Sequence, residues 1–547
     1  MIGAARHRSD GTILVLTLVV VAILSVIAAS QLMLVRAEVG AAAAARRGHQ
    51  ARAAAMSGIY RAMAVLAAGP HDIEARYDAP DLFQAQRIDG QSDAGGTGGW
   101  YFTVYADNPA DPENLRYGIE DDSGKISLNT ATRETLLKLG LTDEQADSLL
   151  DFLDADADAR ANGAEQEYYD ALPRPYQINN GLLTTVEQLL LVKGFTAQTV
   201  YGEDINLNGL LDVNEDDADA TLPFDDDGDG QLNRGLLPYV TALAREPDVD
   251  TEGNARVDIN GDANALAQSL NAAGLGAGTA NFIVQARRAK VTFTDPSQLL
   301  GMSIEVQTQA AASGRRRRGR RGRGGTATRT QRISSGVTAE NLPTVMDKLT
   351  CSAAAGSAQP AQAGVASGGD ASADGEIPTG EAAEGQIPTG AASDGQIPTG
   401  ADADGQPSAA AGGSGRGIAL QGQGFRLGRV NLNSAPVRVL SALPGLDEKT
   451  AQDIVDVRGE LDPETKSTTA WLYTRNVVSA DLFKTVAPFL TARSYQFRVR
   501  SFGYSLDGRR FCVLEATVDT ISGKPRIVYL RDLTRLGVPF APEGIER

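Results

Sequence analysis

The chain has 547 residues, of which 42% are hydrophobic and 5% aromatic, and its formal net charge is −18. The length allows several domains, and the acidic balance argues against general nucleic-acid affinity and favours cation binding or acidic solvated surfaces. The three histidines lie near the N-terminus, the two cysteines form no Cys-x-x-Cys pair, and no nucleophile–base pair is evident, so nothing in the sequence supports an enzyme.

The first predicted element is a membrane-spanning helix. Residues 11–35 carry no charged side chain and exceed the roughly 20 residues that a helix needs to cross a bilayer. Arg6 and Arg8 precede this segment, which predicts that the N-terminus stays in the cytoplasm. A secretory signal cleaved near Ala28 and Ala29 is the alternative, but such signals have an apolar core of about 7–15 residues.

The apolar segment continues into an alanine-rich, helix-forming stretch that reaches residue 68. A membrane helix that becomes an amphipathic helix beneath a globular head is the design of pilins. Gly11 and Thr12 resemble a prepilin peptidase site, with cleavage after Gly11 and N-methylation of the new terminus. The sequence departs from major pilins at Leu16, the fifth mature position, where they carry a glutamate, and at Asp10. A plain membrane anchor is the alternative.

Two strand candidates lie within residues 98–119. WYFTVYA is aromatic and β-branched, and RYGI follows a proline-containing turn. We expect both to belong to a small sheet.

A repeated segment begins at Lys125 and again at Arg429, with a weaker copy at Arg256. KISLNTATRETLLKLGLTDEQADSLLDFL and RVNLNSAPVRVLSALPGLDEKTAQDIVDVRG share a capped first helix, a tight turn at Gly140 or Gly445, and a second helix. This pattern predicts helix-hairpin-helix units. Each copy is followed by a leucine-containing helix, expected at residues 186–194, 296–302 and 479–491.

The turns of these units do not favour nucleic acid. Units that bind DNA offer backbone N–H groups to a phosphate at a Gly-x-Gly turn beside a basic residue. Here the second glycine is absent and acidic residues stand nearby, namely Asp143, Glu144, Asp447 and Glu448. We therefore interpret the units as packing and protein-contact modules; a membrane-tethered DNA-binding protein of a competence-like system is the alternative.

An acidic segment, residues 151–181, follows the first hairpin. Asp154, Asp156, Asp158 and Glu165 are close enough in sequence to form an ion site. Equally, Glu165 and the tyrosines at 168–169 could simply fasten the turn, and the sequence leaves both interpretations open.

Residues 204–236 contain two loops of the EF type, in which alternating oxygen ligands surround a glycine. The first loop matches throughout and predicts Ca²⁺ ligands at Asp204, Asn206, Asn208, Leu210 (through its carbonyl), Asp212 and Glu215. The second loop predicts ligands at Asp225, Asp227, Asp229, Gln231 and Asn233. It lacks the final glutamate, and a neighbour such as Asp216, Asp217 or Asp219 could complete it.

The two loops begin too close together for a paired EF-hand sensor. A calcium-dependent adhesin would repeat such loops many times, whereas two are present. We therefore expect structural Ca²⁺ that clamps a long loop, with a merely acidic loop as the alternative.

Residues 311–415 differ in composition from the rest of the chain. They hold an arginine–glycine tract at 315–323 and three Ile-Pro-Thr-Gly motifs in alanine- and glycine-rich sequence. Such a composition cannot bury enough surface to fold, which predicts a disordered insert with a short ordered element at 333–349. The arginine tract could hold nucleic acid or anionic lipid, but we interpret it as a solvated linker. Residues 494–533 then alternate in three runs, which predicts an antiparallel meander.

The segment LLDFLDADADARANGAEQEYYDALPRPYQINNGLLTTVEQLLLVKGF resembles the minor pseudopilin K family of type II secretion, the general secretion pathway protein K. That family shows Gly-Ala-Glu with tyrosines, a Pro-Tyr-x-x-x-Asn stretch and a Val-Lys-Gly helix, after an Asn-Thr-Ala start like that of KISLNTAT. Lack of the fifth-position glutamate is also typical of it. The similarity is strongest over 120–202, extends over 1–70 and 425–533, and fails over 204–250 and 311–415.

The resemblance implies an assembly protein of the inner membrane whose bulk lies in the periplasm. Such a protein joins pseudopilins I and J, caps the tip of a short periplasmic filament and helps to initiate its assembly for protein export. Its other partners would be prepilin peptidase and the inner-membrane assembly platform, and it binds Ca²⁺ in its helical domain. Nucleic acid is not among the implied partners.

These predictions combine into an α+β fold: a long pilin-like N-terminal helix with a small antiparallel sheet, and a large helical domain of helix-hairpin-helix units with a disordered insert. The expected divisions are 1–70 for the leader and pilin helix, 71–124 for the first strands of the head, 125–310 for the helical domain with the calcium loops, 311–415 for the insert, 416–491 for the second strong hairpin region, and 492–547 for the meander.

Overall fold

The computed structural model describes residues 10–69, 73–88, 99–108, 114–218, 220–223, 226–309, 328–351, 425–505 and 510–540. They all fall within the first of two compact parts into which the chain divides. The second part, residues 362–423, lies outside the described ranges.

The strands are, in chain order, β1 (Gln86–Arg87), β2 (Trp100–Tyr105), β3 (Glu120–Asp121), β4 (Ile126–Ser127), β5 (Val240–Thr241), β6 (Arg245–Pro247), β7 (Val257–Asp258), β8 (Ser303–Gln309), β9 (Thr328–Ser334), β10 (Leu349–Thr350), β11 (Phe425–Leu427), β12 (Val430–Asn431), β13 (Leu490–Thr491), β14 (Gln496–Ser505), β15 (Phe511–Asp519) and β16 (Arg526–Asp532). The helices are α1 (Asp10–Ala68), α2 (Ile73–Tyr77), α3 (Pro80–Phe83), α4 (Arg133–Lys138), α5 (Asp143–Leu153), α6 (Gln166–Asp170), α7 (Ala197–Tyr201), α8 (Ala263–Ala272), α9 (Ala277–Arg288), α10 (Leu342–Lys348), α11 (Val437–Ser441), α12 (Glu448–Gly459), α13 (Trp471–Thr474) and α14 (Ala480–Val486). Short 3₁₀ helices lie at Asp122–Gly124, Val186–Leu191, Val213–Glu215, Pro296–Leu299, Thr465–Ser467, Ala487–Phe489 and Thr534–Leu536.

The second half of α1 packs on an antiparallel sheet. The strand order is β1-β2-β14-β15-β16, and β3 also pairs with β14. Small side chains at Ala51, Ala54 and Ala55 let α1 lie directly on β14 at Gly503. The predicted meander and its position on the N-terminal helix are therefore confirmed.

The first half of α1 exposes its apolar side chains. The large hydrophobic residues from Leu14 to Val39 are 45–72% exposed, and this is a helix long and apolar enough to cross a membrane. Exposed apolar surface of this extent calls for apolar surroundings, so the helix fits a single-pass membrane anchor.

The sheet is buried on both faces, and every residue of β14 is buried. Phe497 and Val499 belong to the core that α1 covers, whereas Phe502 and Tyr504 belong to a larger core under the helical part of the protein. Alternate side chains of one strand thus enter two different cores.

Three repeated units build the helical part, over residues 125–242, 256–351 and 429–492. Each starts with a short strand that pairs in parallel with a strand at its own end: β4 with β5, β7 with β10, and β12 with β13. The residue after each first strand donates its backbone N–H to that end strand: Leu128 to Thr241 (2.9 Å), Ile259 to Thr350 (2.9 Å) and Leu432 to Thr491 (3.0 Å).

The asparagine that follows holds each unit together. The Nδ2 of Asn129 donates to the carbonyls of Leu183 and Ala242, and its Oδ1 accepts the Leu183 N–H. Asn260 makes the equivalent pair of bonds to Phe293, and Asn433 donates to Lys466 and Ala492. The weak third copy seen in the sequence is thus built like the other two.

Two helices joined by a glycine turn follow the asparagine in every unit: α4–α5, α8–α9 and α11–α12. Gly140 and Gly445 have φ values of +98° and +83°, which glycine alone adopts readily. The expected trailing helices are present at Val186–Leu191 and Pro296–Leu299. The helix expected at 479–491 is also present, as α14 and the 3₁₀ helix Ala487–Phe489 that follows it, and the short helix α13 precedes it.

Two further expectations change. RYGI is not a strand; Arg116 forms a single bridge to Ala106, and β3 follows it. Residues 328–351, inside the range predicted to be disordered, form β9, α10 and β10 and include the short ordered element expected at 333–349. The remainder of 311–415, with the arginine tract and the Ile-Pro-Thr-Gly motifs, lies outside the described residues.

Candidate calcium sites

The end of α5 and the start of α6 bring three carboxylates together. Oxygen atoms of Asp154, Asp156 and Glu165 lie within 4.8 Å of one another. Both Glu165 oxygens and one Asp154 oxygen are buried without a hydrogen-bond partner. Orphaned carboxylate oxygens facing one another are the donor set that Ca²⁺ takes, so these residues fit the ion.

The electrostatics of this cluster also favour a cation. Glu165 is 7% exposed, and burial together with the charges of Asp151, Asp154 and Asp156 raises its pKa to about 7. Arg160 donates to the other Asp154 oxygen at 2.7 Å and also binds Asp151. The Arg160 guanidinium group therefore pairs with two carboxylates, Asp151 and Asp154, and none of its nitrogens contacts Glu165.

Asp158, predicted with this group, is not part of it. Its backbone N–H donates to Asp156 at 3.0 Å, which turns the loop, while its own side chain is exposed.

The first EF-type loop closes on itself through its predicted ligands. Asp204 accepts the N–H groups of Asn208 (2.9 Å) and Gly209 (3.1 Å), and Glu215 accepts those of Ile205 and Asp212 (both 3.1 Å). The structure thus brings the first and last carboxylates of the loop to one backbone turn.

The middle ligands of this loop meet at Asp212. Asn206 and Asn208 donate to its Oδ2 at 2.7 and 2.9 Å, and the Leu210 N–H donates to Asn208 at 2.7 Å. Gly209, at φ +77°, makes the bend that lets these groups converge.

Burial makes the negative charge in this loop costly. Asp204 and Glu215 are 2% and 1% exposed, and burial raises the pKa of both carboxyls, that of Glu215 to about 7. Arg234, with its Nε 3.5 Å from Asp204, is the guanidinium group nearest that carboxylate and opposes the shift. Buried carboxylates gathered with side-chain amides fit an oxygen-seeking cation.

The second loop is arranged differently from the sequence pattern. The carboxylates within 4.8 Å of one another are Glu203, Asp226 and Asp227, of which only Asp227 was predicted. Asp229 accepts the N–H of Gln231 and Asn233 accepts that of Gly235, so these residues form turns beside the cluster. Asp225 lies outside the described residues.

The sequence held a weak indication of Glu203 and Asp226. Three consecutive aspartates, 225–227, allow two alternating registers, and the EF pattern favours the register that starts at Asp225. Asp226 is instead turned inward, 4% exposed, where it accepts the Ala218 N–H at 2.9 Å. Glu203 is 1% exposed and accepts the Asn233 N–H at 2.8 Å.

The hairpin turns of the first and third units face each other. Lys138 donates to the Leu443 carbonyl at 3.3 Å, and Arg438 donates to the Leu139 carbonyl at 2.8 Å. The basic side chains beside these turns are therefore engaged in a contact between units.

Gly11 and Thr12, the residues of the predicted prepilin peptidase site, lie in the first turn of α1.

Comparison with known families identifies one segment of the chain. Residues 114–201 match the family model described as type II secretion system (T2SS), protein K. This range contains the Asp154–Glu165 cluster and the first hairpin, and the match confirms there the resemblance predicted from the sequence. No curated protein matches the chain.

Among solved structures, the chain is similar to one described as the GspK-GspI-GspJ complex from the enterotoxigenic Escherichia coli type 2 secretion system. The alignment covers 90% of this chain and 98% of that chain at 10% sequence identity, with a TM-score of 0.36. A likeness this low carries no argument about fold or partners.

Proposed function

We propose that this chain is a minor pseudopilin of a type II protein secretion system, of the protein K kind, which caps the tip of the periplasmic pseudopilus and helps to initiate its assembly. The observation that carries the proposal is the match of residues 114–201 to the protein K family model. The function is structural: the chain acts by assembly, not by catalysis.

The architecture supports a pilin-type subunit. The first half of α1 exposes apolar side chains and would lie in the inner membrane, with the N-terminus cytoplasmic and the bulk periplasmic. The second half of α1 forms one core with the sheet, so the proposed membrane segment continues directly into the head.

The helical part supports the capping role. It covers the sheet face opposite α1, and its three units form one core with that face. We interpret the units as helix-hairpin-helix modules that pack against one another. A head enlarged in this way would leave no room for another subunit above it.

The proposed partners are two other minor pseudopilins, I and J. They are the partners that the resemblance of residues 114–201 to the protein K family implies. The remaining partners are the inner-membrane assembly platform and prepilin peptidase, which would cleave after Gly11 and leave an N-methylated Thr12.

Calcium belongs to the proposal as a structural ion. Asp154, Asp156 and Glu165 would hold one ion, and the loop Asp204–Glu215 would hold another through the oxygens of its carboxylates, its amides and the Leu210 carbonyl. Glu203, Asp226 and Asp227 offer a third set of oxygens. Bound Ca²⁺ would neutralise charge that is otherwise buried.

The first experiment is the N-terminal mass of the chain recovered from membranes of cells with and without prepilin peptidase. We expect a chain that begins at Thr12 only when the peptidase is present, and a Gly11→Val variant that stays uncut in both. Gly40→Val, far from the cleavage point, is the control and should be cut normally. An intact Met1 in peptidase-containing cells, or a cut near residue 29, would remove the chain from the filament.

A further inference from the structure

The loop Asp204–Glu215 is also a contact between the helical part and the sheet. The Nδ2 of Asn208 donates to the carbonyl of Pro539 at 2.9 Å, and Arg500 on β14 lies 3.5 Å from the Leu207 carbonyl. A Cβ at Gly209 would clash with Asp107 Oδ1, so the loop backbone lies directly against Asp107, two residues after β2. The loop therefore rests on the sheet with no space between.

A buried chain of alternating charges runs from the loop into the sheet. Asp204 contacts Arg234, Arg234 binds Asp107, and Asp107 binds Arg500 at 3.0 Å. Arg500 in turn binds Glu515 on β15 at 3.1 Å. The charge state of the loop is thus linked to the sheet through direct contacts.

The C-terminal segment Leu533–Phe540 depends on the same loop. Leu533 is bonded to Val513 at 2.9 Å, but Leu536 and Val538 are 40% and 46% exposed. At its far end Pro539 is bound by Asn208, and the Phe540 ring packs edge-on to Tyr105 and Phe502, 5.2 and 5.3 Å between centroids. Among the described contacts of this end, the hydrogen bond to Pro539 comes from the loop.

We infer that Ca²⁺ in the loop Asp204–Glu215 locks the segment Leu533–Phe540 onto the sheet. The inference rests on the calcium part of the proposed function. Without a cation, Asp204 and Glu215 are buried carboxylates held only by backbone N–H groups and one shared guanidinium group, so the loop is loosened. With the cation in place the loop is fixed, and so is Asn208, whose Oδ1 faces the loop while its Nδ2 reaches Pro539.

The test is hydrogen exchange of the full-length chain in detergent, with and without Ca²⁺. In the unaltered chain we expect Ca²⁺ to slow exchange of the amides between Leu533 and Phe540 by about tenfold or more. Asn208→Asp keeps an oxygen ligand in the loop but removes the donor to Pro539. It should bind Tb³⁺, used as a luminescent substitute for Ca²⁺, and yet lose the slowing of exchange.

Two further variants complete the test. Asp204→Asn with Glu215→Gln should lose both Tb³⁺ binding in the loop and the slowing of exchange between Leu533 and Phe540. Asp227→Asn with Asp229→Asn, in the second loop, should keep the slowing.

The inference is overturned if Ca²⁺ slows exchange in the Asn208→Asp variant as much as in the unaltered chain. It is also overturned if Ca²⁺ binds to the unaltered chain without changing amide exchange between Leu533 and Phe540. Absence of Ca²⁺ binding would overturn it together with the calcium part of the proposed function. None of these outcomes alters the processing experiment at Gly11, so the filament role stands or falls separately.

Discussion

Glu515 lies on β15 among three guanidinium groups. Its carboxylate is 2.8 Å from Arg531, 3.1 Å from Arg500 and 3.7 Å from Arg498. Burial alone would raise the pKa of this carboxyl, but the three arginines lower it to about 2, from an ordinary value of 4.5. Arg500 and Arg531 also contact Leu207 and Glu187 in the helical part, so the charge of Glu515 helps to hold the sheet against that part.

This pKa predicts how stability depends on pH. A carboxyl whose pKa is lowered by folding stabilises the fold above its unfolded pKa, and the contribution is lost as the pH falls from about 4.5 towards about 2. Glu515→Gln should therefore lower the free energy of unfolding by about 3–5 kcal/mol near neutral pH. Urea unfolding at several pH values should show the difference from the unaltered chain shrinking as acid is added.

Exposed Glu460 provides the control for this prediction, since Glu460→Gln should change stability little at any pH. A Glu515→Gln deficit that is the same in acid as near neutral pH would show that the carboxylate charge is not what stabilises the sheet.

At the scale of elements, the sequence predicted what short-range patterns encode. The two strong helix pairs follow from an asparagine start, a capped helix and a turn glycine, and the meander follows from period-two alternation. The end strands β5, β10 and β13 could not be found, because two residues carry no periodicity and their partners are distant in sequence. The short helix α13 was missed as well, because four residues carry too little periodicity to be recognised.

The same contrast between local patterns and distant contacts applies to the candidate calcium residues. The first loop was located by a local pattern that includes its glycine. Glu203 and Asp226 were missed because their inward direction depends on bonds to Asn233 and Ala218, which no spacing encodes.

We expect the asparagine at the start of each unit to stabilise that unit. Asn129 makes three hydrogen bonds to two distant segments and is 9% exposed. Asn129→Ala would leave buried backbone groups of Leu183 and Ala242 without partners, and should lower the free energy of unfolding by about 1–3 kcal/mol. Thermal unfolding of the full chain measures the loss.

Asn264, on the exposed face of α8, is the matched control. Asn264→Ala should leave stability unchanged or slightly increase it, because alanine favours the helix. Equal losses at both positions would mean that the bonds of Asn129 do not hold the first unit closed.

At the scale of the whole molecule, the sequence predicted the two-part design but not how the parts join. Arg498 and Arg500 alternate with apolar residues in a run that is typical of a strand with one solvated face. Instead, they are only 7% and 2% exposed. They pair with carboxylates from distant parts of the chain, such as Asp122 and Asp107. Such pairs have no local pattern, so a second covered face cannot be predicted from alternation alone.

The division of α1 predicts the effect of truncation. Its described side chains up to Val39 contribute nothing to either core, whereas Ala51, Ala54 and Ala55 are buried against the sheet. A chain that begins at Arg36 should be soluble without detergent and keep its melting temperature. A chain that begins at Ser57 lacks those three contacts and should melt at a clearly lower temperature. Equal melting of the two truncated chains would contradict the packing of α1 on β14.

The contact between Arg426 and the end of the second unit has a practical consequence. Arg426 donates to the Cys351 carbonyl at 3.1 Å and also binds Thr350, so residues 351 and 426 lie side by side. Because this contact holds residues 351 and 426 together, flexible residues added to the sequence between them should cost a free energy that grows only with the logarithm of their number. We therefore expect that a fluorescent or affinity domain inserted between residues 351 and 425 would leave both cores intact and could report on the protein in living cells.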